Sequence, residues 1–178
     1  MWVLFFSILF LDQFLKIFIK TNMSIGDQFF VFDWFHVYFV ENNGFAFGLE
    51  FFGVWGKFFL TLFRLFFVFF IFKWLFSLLK GGVDFIVVLA FLLISAGAVG
   101  NIIDSVFYGV LFDYSPLFFG RVVDMFYFPL FSGFYPDWIP FLGGEKFIFF
   151  RFIFNIADSS ITIGSFLLLF YYKRLPLK

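Results

Sequence analysis

Asp12, Lys16, Arg64, Asn101, Asp104, Asn155 and Asp158 are polar side chains embedded in runs of apolar residues. A charge within hydrocarbon costs from about 2.5 kcal/mol upward, so each is a candidate for function. Their spacing sorts them into faces. Asp12 and Lys16 are four apart and can form an ion pair on one turn of helix. Asn101 and Asp104 are three apart, and Asp104 follows Ala96 and Gly100 in steps of four, a small-residue face that admits a neighbouring helix. Asn155, Asp158, Ser159 and Thr162 form a further polar stripe. Stripes of this kind face protein or water.

Carboxylates drawn together suggest a definite chemistry. Two that lie close cannot both ionise cheaply, so they share a proton, and the pair then holds one base and one acid. Such a pair can take a proton from water, direct the water at a peptide carbonyl and protonate the leaving nitrogen. Other mechanisms lack parts. There is no cysteine, and the single histidine, His36, reads as a surface residue of an external loop, so thiol chemistry is excluded and a serine triad has few possible members. A zinc site would lack nitrogen and sulfur ligands, and no metal or cofactor is expected. Asp158 is the carboxylate hardest to dismiss as structural. Spacing alone does not choose its partner among Asp104, Asp113 and Asp124.

The elements that must position these groups follow from composition. Of 178 residues, 63% are hydrophobic and 13% charged, too apolar for one small water-soluble core. Stretches at about 2–20, 57–79, 85–106 and 153–172 are long enough to cross a hydrocarbon layer of about 30 Å. The expectation is an all-α membrane protein, one membrane-embedded domain over 1–178, with four transmembrane helices, a small external β-rich cradle and an irregular external loop. Asp12 and Lys16 within the first stretch, and the absence of a basic leader, mark it as a retained helix rather than a signal peptide. Lys73 and Lys80, and Lys173, Arg174 and Lys178, put the second loop and both termini on the cytoplasmic side. The loops 21–56 and 107–152 are then external. In the first, Phe29–Val40 reads as a strand or hairpin on the membrane, closed by the turn signal Asn43-Gly44. The second, broken by Pro116, Pro129, Pro136 and Pro140, reads as irregular. Counting about 1.5 Å per residue from the external helix ends, Asp12, Arg64 and Asp158 fall about 12, 10 and 8 Å deep, all in the outer half. Balanced charge gives no sign of a nucleic-acid partner.

Five runs occur in order: Asp12-Gln-Phe-Leu-Lys16; Glu41-Asn42-Asn43-Gly44-Phe45-Ala46-Phe47-Gly48; Gly97-Ala-Val-Gly100-Asn101-Ile-Ile-Asp104; Val122-Val123-Asp124; and Phe154-Asn155-Ile-Ala157-Asp158-Ser159. Together they resemble the lipoprotein signal peptidases, the type II signal peptidases of bacteria. The resemblance implies an aspartyl endopeptidase of the bacterial inner membrane, multi-pass and monomeric, that removes signal peptides from diacylglyceryl-modified prolipoproteins just before the lipidated cysteine. It implies Asp124 and Asp158 as the catalytic pair. Asp12, Lys16, Asn42, Gly44, Asn101, Asp104, Asn155 and Ala157 become supporting or substrate-contacting residues, and lipid-modified prolipoproteins and membrane lipids the partners. Departures are visible too. Ser105 stands where the family has arginine, with Arg121 or Arg64 as possible substitutes, and the stretch between Asp124 and Asp158 is long. The rival readings are a small transporter or proton-relay protein, which also uses intramembrane Asp and Lys, and a non-enzymatic assembly subunit. Clustering of the polar groups toward one side of the bilayer argues against the former, and the ordered runs against both.

Overall fold

A computed structural model describes residues 1–43 and 53–175. The run of apolar, proline-free residues at the start forms α1, Trp2–Asn22. An antiparallel hairpin follows, β1 (Gln28–Phe32) and β2 (Phe35–Asn42), as the Phe29–Val40 pattern predicts. Its turn lies between Phe32 and Phe35, and Gly44 lies outside the described residues. Helix α2, Gly53–Lys80, has 28 residues and a length of about 42 Å, more than the hydrocarbon thickness. Helix α3 covers Phe85–Ile103, with Asp84 as its cap: the Asp84 carboxylate accepts the Ile86 N–H at 2.9 Å. That bond, and then Arg174, hold the Asp84 carboxyl below its ordinary range.

At Asp104–Tyr108 the helix widens into a π turn before a last short helix, α4 (Gly109–Leu111). Wider turns of this kind recur at functional positions. The external stretch expected to be irregular contains ordered structure: β3 (Val122–Tyr127), β4 (Phe131–Phe134), β5 (Lys146–Phe149) and β6 (Ile153–Phe154). Its prolines fall outside the strands, Pro116 before β3 and Pro129, Pro136 and Pro140 between strands, where no ladder hydrogen bond is lost. Strands β1-β2-β3-β6 form an antiparallel sheet, and β4-β5 a separate hairpin. The last predicted span also begins differently. Residues 153 and 154 belong to β6, Asn155 is extended, and α5 runs only from Ile156 to Tyr171.

Three described helical segments, Trp2–Asn22, Trp55–Lys80 and Phe85–Leu111, are long and apolar enough to cross a membrane. The central one is α3, which packs against α1, α2 and α5. Small residues make this possible. A Cβ added at Gly97 would meet the Ala157 carbonyl oxygen at 2.2 Å, and one at Gly100 would meet Asp12 Oδ2 at 2.7 Å, so these glycines let the α5 backbone and the Asp12 side chain of α1 close on α3. By contrast α2 exposes Phe59, Phe63, Phe66 and Phe69 on its outer sides. Those rings face outward as lipid-contacting residues do.

Candidate active site

The polar residues singled out from sequence converge at one end of the bundle, where α1, α3, α5 and β3 meet. Lys16 is fully buried, and each of its three ammonium hydrogens has an acceptor: Asp12 Oδ2 at 2.9 Å, Asp104 Oδ2 at 2.7 Å and Asn101 Oδ1 at 2.9 Å. The four-residue spacing of Asp12 and Lys16 supplies the first of these, and the packing of α1 on α3 the other two. Asp104 also accepts from Gln13 Nε2 at 2.9 Å and from the Val123 N–H at 3.4 Å, which fastens β3 to the π turn.

Asp124 is carried into this centre by the sheet. Strand β2 pairs with β3 so that Val40 faces Asp124 and Asn42 faces Val122, with an irregularity between Val37 and Val40. Such irregularities re-aim side chains. The Asp124 carboxylate is 3% exposed and accepts from Asn155 Nδ2 at 2.7 Å and Asn42 Nδ2 at 3.2 Å. Burial first, and then the neighbouring Asp158 charge, push this carboxyl up to about 7.

Asp158 is placed by a local rule of helix initiation. Asn155 caps α5: its side-chain oxygen accepts the Asp158 N–H at 2.8 Å, and its own N–H donates to Asp158 Oδ2 at 3.3 Å, a reciprocal capping box. A third bond completes the helix start, as the Ala157 N–H donates to Asp12 Oδ1 at 2.9 Å. The expected polar stripe therefore needs correction at one position, since Asn155 is the cap of α5 and not part of its face. Ala157 lies fully buried against Gly97 and Gly100, where a larger side chain would part the helices.

These bonds fix which way two amides point. Asn101 receives the Lys16 ammonium on its oxygen, so its NH2 turns to Asp158 Oδ1 at 2.8 Å. Asn155 uses its oxygen for the cap, so its NH2 turns to Asp124. Each amide therefore offers hydrogens to one carboxylate. Among the described residues neither Asp124 nor Asp158 forms an ion pair with Lys or Arg.

Other sequence readings come out differently. His36 is buried in the sheet, 8% exposed, with its ring 4.5 Å from Phe30, rather than on the surface. Arg121 turns to Glu41 at 3.4 Å, and Asp113 lies in the turn after α4 at a positive φ of 54°. Arg64 reaches Ser105 Oγ at 3.5 Å and, with Asn101 and Asp158, lines a cavity of about 220 Å³ between α2, α3 and α5 whose other walls include Phe63, Phe67 and Ala98. Two participants were missed. Gln13, which ties Asp104 to Asp12, was overlooked beside Asp12. Lys57, near the start of α2, is buried against Ser105.

Fold and site together define a membrane enzyme. The structure is similar to two solved structures of bacterial membrane enzymes, one with a TM-score of 0.63 and 26% identity covering 99% of this chain and 92% of the other, and one with a TM-score of 0.58 and 28% identity covering 96% and 90%. The family model for signal peptidase II matches residues 4–174. Relatives include the lipoprotein signal peptidase of Porphyromonas gingivalis, 46% identical over 94% of this chain and 80% of that protein, and that of Amoebophilus asiaticus, 35% identical over 86% and 69%. The chain belongs to the signal peptidase II family, which are proteases.

Proposed function

We propose that this chain is an aspartyl endopeptidase that removes signal peptides from diacylglyceryl-modified prolipoproteins, cutting the peptide bond before the lipidated cysteine. The observation that carries the reading is the pair Asp124 and Asp158, both hydrogen-bonded to Asn155 and neither ion-paired among the described residues. A carboxylate neutralised by a fixed cation makes a poor base, whereas one held by neutral amides can gain and lose a proton.

The roles follow from the two environments. Asp158 sits in the first turn of α5, where it accepts from the Asn155 N–H and from the NH2 of Asn101, and it is the base that takes a proton from water. Asp124, with its raised affinity for a proton, is the acid. The water oxygen adds to the scissile carbonyl carbon while its proton passes to Asp158. Asp124 then protonates the departing nitrogen as the C–N bond breaks. The products are a signal peptide with a new carboxylate and a lipidated cysteine with a free amine. Lys16 acts at a distance, by holding Asn101 in the orientation that Asp158 requires.

The substrate assignment draws on the family and on the apolar cavity that ends at Asp158, suited to a hydrophobic segment or acyl chain. In this reading α5 is the fourth crossing, both termini are cytoplasmic, and the site opens on the outer side of the bacterial inner membrane. In this reading the chain acts as a monomer, and no metal takes part. Purified Asp124→Asn and Asp158→Asn variants, each assayed on a lipid-modified precursor, are expected to lose cleavage about 10³-fold or more with the fold intact. Normal cleavage by either sinks the dyad, and activity abolished by chelators would replace it with a metal mechanism.

A further inference from the structure

Strands β4 and β5 pair only with each other, Phe131 opposite Phe149 and Phe134 opposite Lys146, and stand apart from the sheet that carries Asp124. A two-stranded hairpin by itself is at best marginally stable in water. This one is faced with aromatic rings. Phe131 and Phe149 stack with centroids 4.5 Å apart, Phe147 lies over Gly133, where a Cβ would meet its ring at 2.9 Å, and Tyr135 closes on Phe147 at 5.1 Å. On either side of β5, Phe141 and Phe150 hold positive φ angles of 67° and 60°, a region that bulky side chains rarely enter, and both rings are exposed. Strain of this kind gathers at ligand sites.

A cavity of about 470 Å³ is formed around β5, with Leu142, Phe149 and Phe150 among its apolar walls and Lys146, Arg151 and Glu145 as its charged ones. Two cations face one carboxylate there, and among the described residues neither Lys146 nor Arg151 forms an ion pair. Chain length limits its height. The Ala157 N–H is bonded to Asp12, ten residues before the end of the membrane-crossing helix α1, so that end lies about 15 Å farther along the axis. Arg151 precedes Ala157 by six residues, which span at most about 20 Å. Its backbone therefore rises no more than about 5 Å beyond the end of α1, which keeps the cavity at the level of the lipid headgroups. Cations beside apolar side chains at that level match one ligand chemistry, a phosphodiester carrying acyl chains. We propose that this cavity binds an anionic phospholipid of the surrounding leaflet, its phosphate between Lys146 and Arg151 and its glycerol and upper acyl segments against Leu142 and Phe150. Arg151 offers a planar fork to two phosphate oxygens, and Lys146 a second point charge. The lipid covers the aromatic hairpin and, because Arg151 is four residues ahead of the Asn155 cap, steadies the segment that leads into α5.

The test is hydrogen exchange of the full chain, read over residues 131–149, in nanodiscs of phosphatidylcholine alone or of phosphatidylcholine and phosphatidylglycerol in equal parts. A ligand that binds only the closed hairpin suppresses its opening, so phosphatidylglycerol is expected to slow exchange there about tenfold or more, with the α3 amides unchanged. Lys146→Gln and Arg151→Gln should each reduce that slowing, and the double variant should abolish it. Exchange of these variants in phosphatidylcholine alone should match the wild type, which reports an intact hairpin. Lys146→Arg should retain the slowing. Equal exchange of the wild-type hairpin in the two discs would overturn the proposal, as would slowing that survives the double variant. Should the double variant lose the hairpin, Arg151→Gln and Lys146→Arg decide the matter. If soluble glycerol phosphate added to phosphatidylcholine discs slows the hairpin equally, the ligand is a free phosphate and the lipid assignment falls. If slowing appears only on addition of a precursor lipoprotein, the surface is a polypeptide site and the assignment falls likewise. None of these readouts needs turnover, so a failed dyad, seen as cleavage by Asp124→Asn, would leave the lipid site standing.

Discussion

The centre of this protein holds two pairs of carboxylates, and they are kept in opposite ways. Asp12 and Asp104 flank Lys16 at 2.9 and 2.7 Å and are almost completely buried, with their remaining lone pairs taken by Gln13, the Val123 N–H and the Ala157 N–H. Among the described residues Asp124 and Asp158 share no cation. They are joined instead through the amides of Asn155 and Asn101. The first pair is a clamp, since it ties α1 to α3, β3 and the start of α5 with its charge cancelled on the spot. The second is left able to exchange a proton. Carboxylate count alone does not mark a reacting group; the identity of its nearest donors does.

The largest expected effect separates the pairs by activity. Asp158→Asn should cost about 10³-fold or more in cleavage of a lipidated precursor at unchanged stability. Asp104→Asn should act chiefly on stability, because Lys16 keeps Asp12 and the new amide can still accept a hydrogen bond. An Asp104→Asn variant that unfolds normally but no longer cleaves would place Asp104 among the reacting groups and erase the distinction.

Next in size is the removal of the cation. Lys16→Met leaves two buried carboxylates facing each other with no counter-charge, and breaking a buried pair in this way costs about 3–5 kcal/mol. Thermal unfolding in detergent micelles is the measurement. The same substitution combined with Asp104→Asn should recover part of the loss, because one of the stranded charges is removed. No recovery would mean that Lys16 contributes by packing rather than by cancelling charge.

Smaller, and confined to the second pair, is a dependence on pH. In the proposed mechanism the pair needs one proton, which Asp124, raised to about 7 mainly by burial and then by Asp158, would hold. Cleavage should therefore fall above about pH 7, approaching tenfold per unit. Stability carries the same signature with a definite sign. The folded value lies above the unfolded carboxylate value of about 3.9, so between the two the folded chain retains a proton that the unfolded chain has released. Stability contributed by this group is then present at the acid end and declines as pH rises through about 7, with a slope of at most about 1.4 kcal/mol per unit. Unfolding of Asp124→Asn measured from pH 5 to 8 should lack that decline. If the slope persists, its source is not Asp124.

How far the sequence reveals this difference depends on the distance over which each contact is made. The Asp12–Lys16 pair is legible because four residues on a helix return to the same face. The choice of Asp124 is not, because it depends on the register of β2 against β3, a pairing across more than eighty residues; only the resemblance of the Val122-Val123-Asp124 run pointed there. Asn155 sits between these extremes. Its spacing from Asp158 is that of a capping box, yet the apolar residues before it extended the predicted helix backward over what is β6. Lys57 was missed for a different reason: Lys57, Thr61 and Arg64 share one face of α2 at steps of four and three, but of these only Arg64 was read as lying within the apolar run. The prolines of the 107–152 stretch suggested an irregular loop, although Pro129, Pro136 and Pro140 only punctuate the strands β3, β4 and β5.

The smallest expected effect tests the boundary of the site. Glu41 neighbours Asn42 on β2 and is 4% exposed in its side chain, with Lys20 as a close partner and Arg121 as a second at 3.4 Å. Arg121 is half exposed and stands just before β3, three residues from Asp124. Because Lys20 continues to neutralise Glu41 when Arg121 is removed, and because an exposed member of such a pair is screened by water and salt, Arg121→Ala should change stability by less than about 1 kcal/mol. Cleavage should stay within about twofold of the wild-type rate, since the side chain turns toward Glu41 and Tyr114 and away from the oriented amides. The measurement is a rate on the lipidated precursor, paired with an unfolding curve. A loss of tenfold or more at unchanged stability would assign to Arg121 the substrate contact that the family pattern gives to an arginine in place of Ser105.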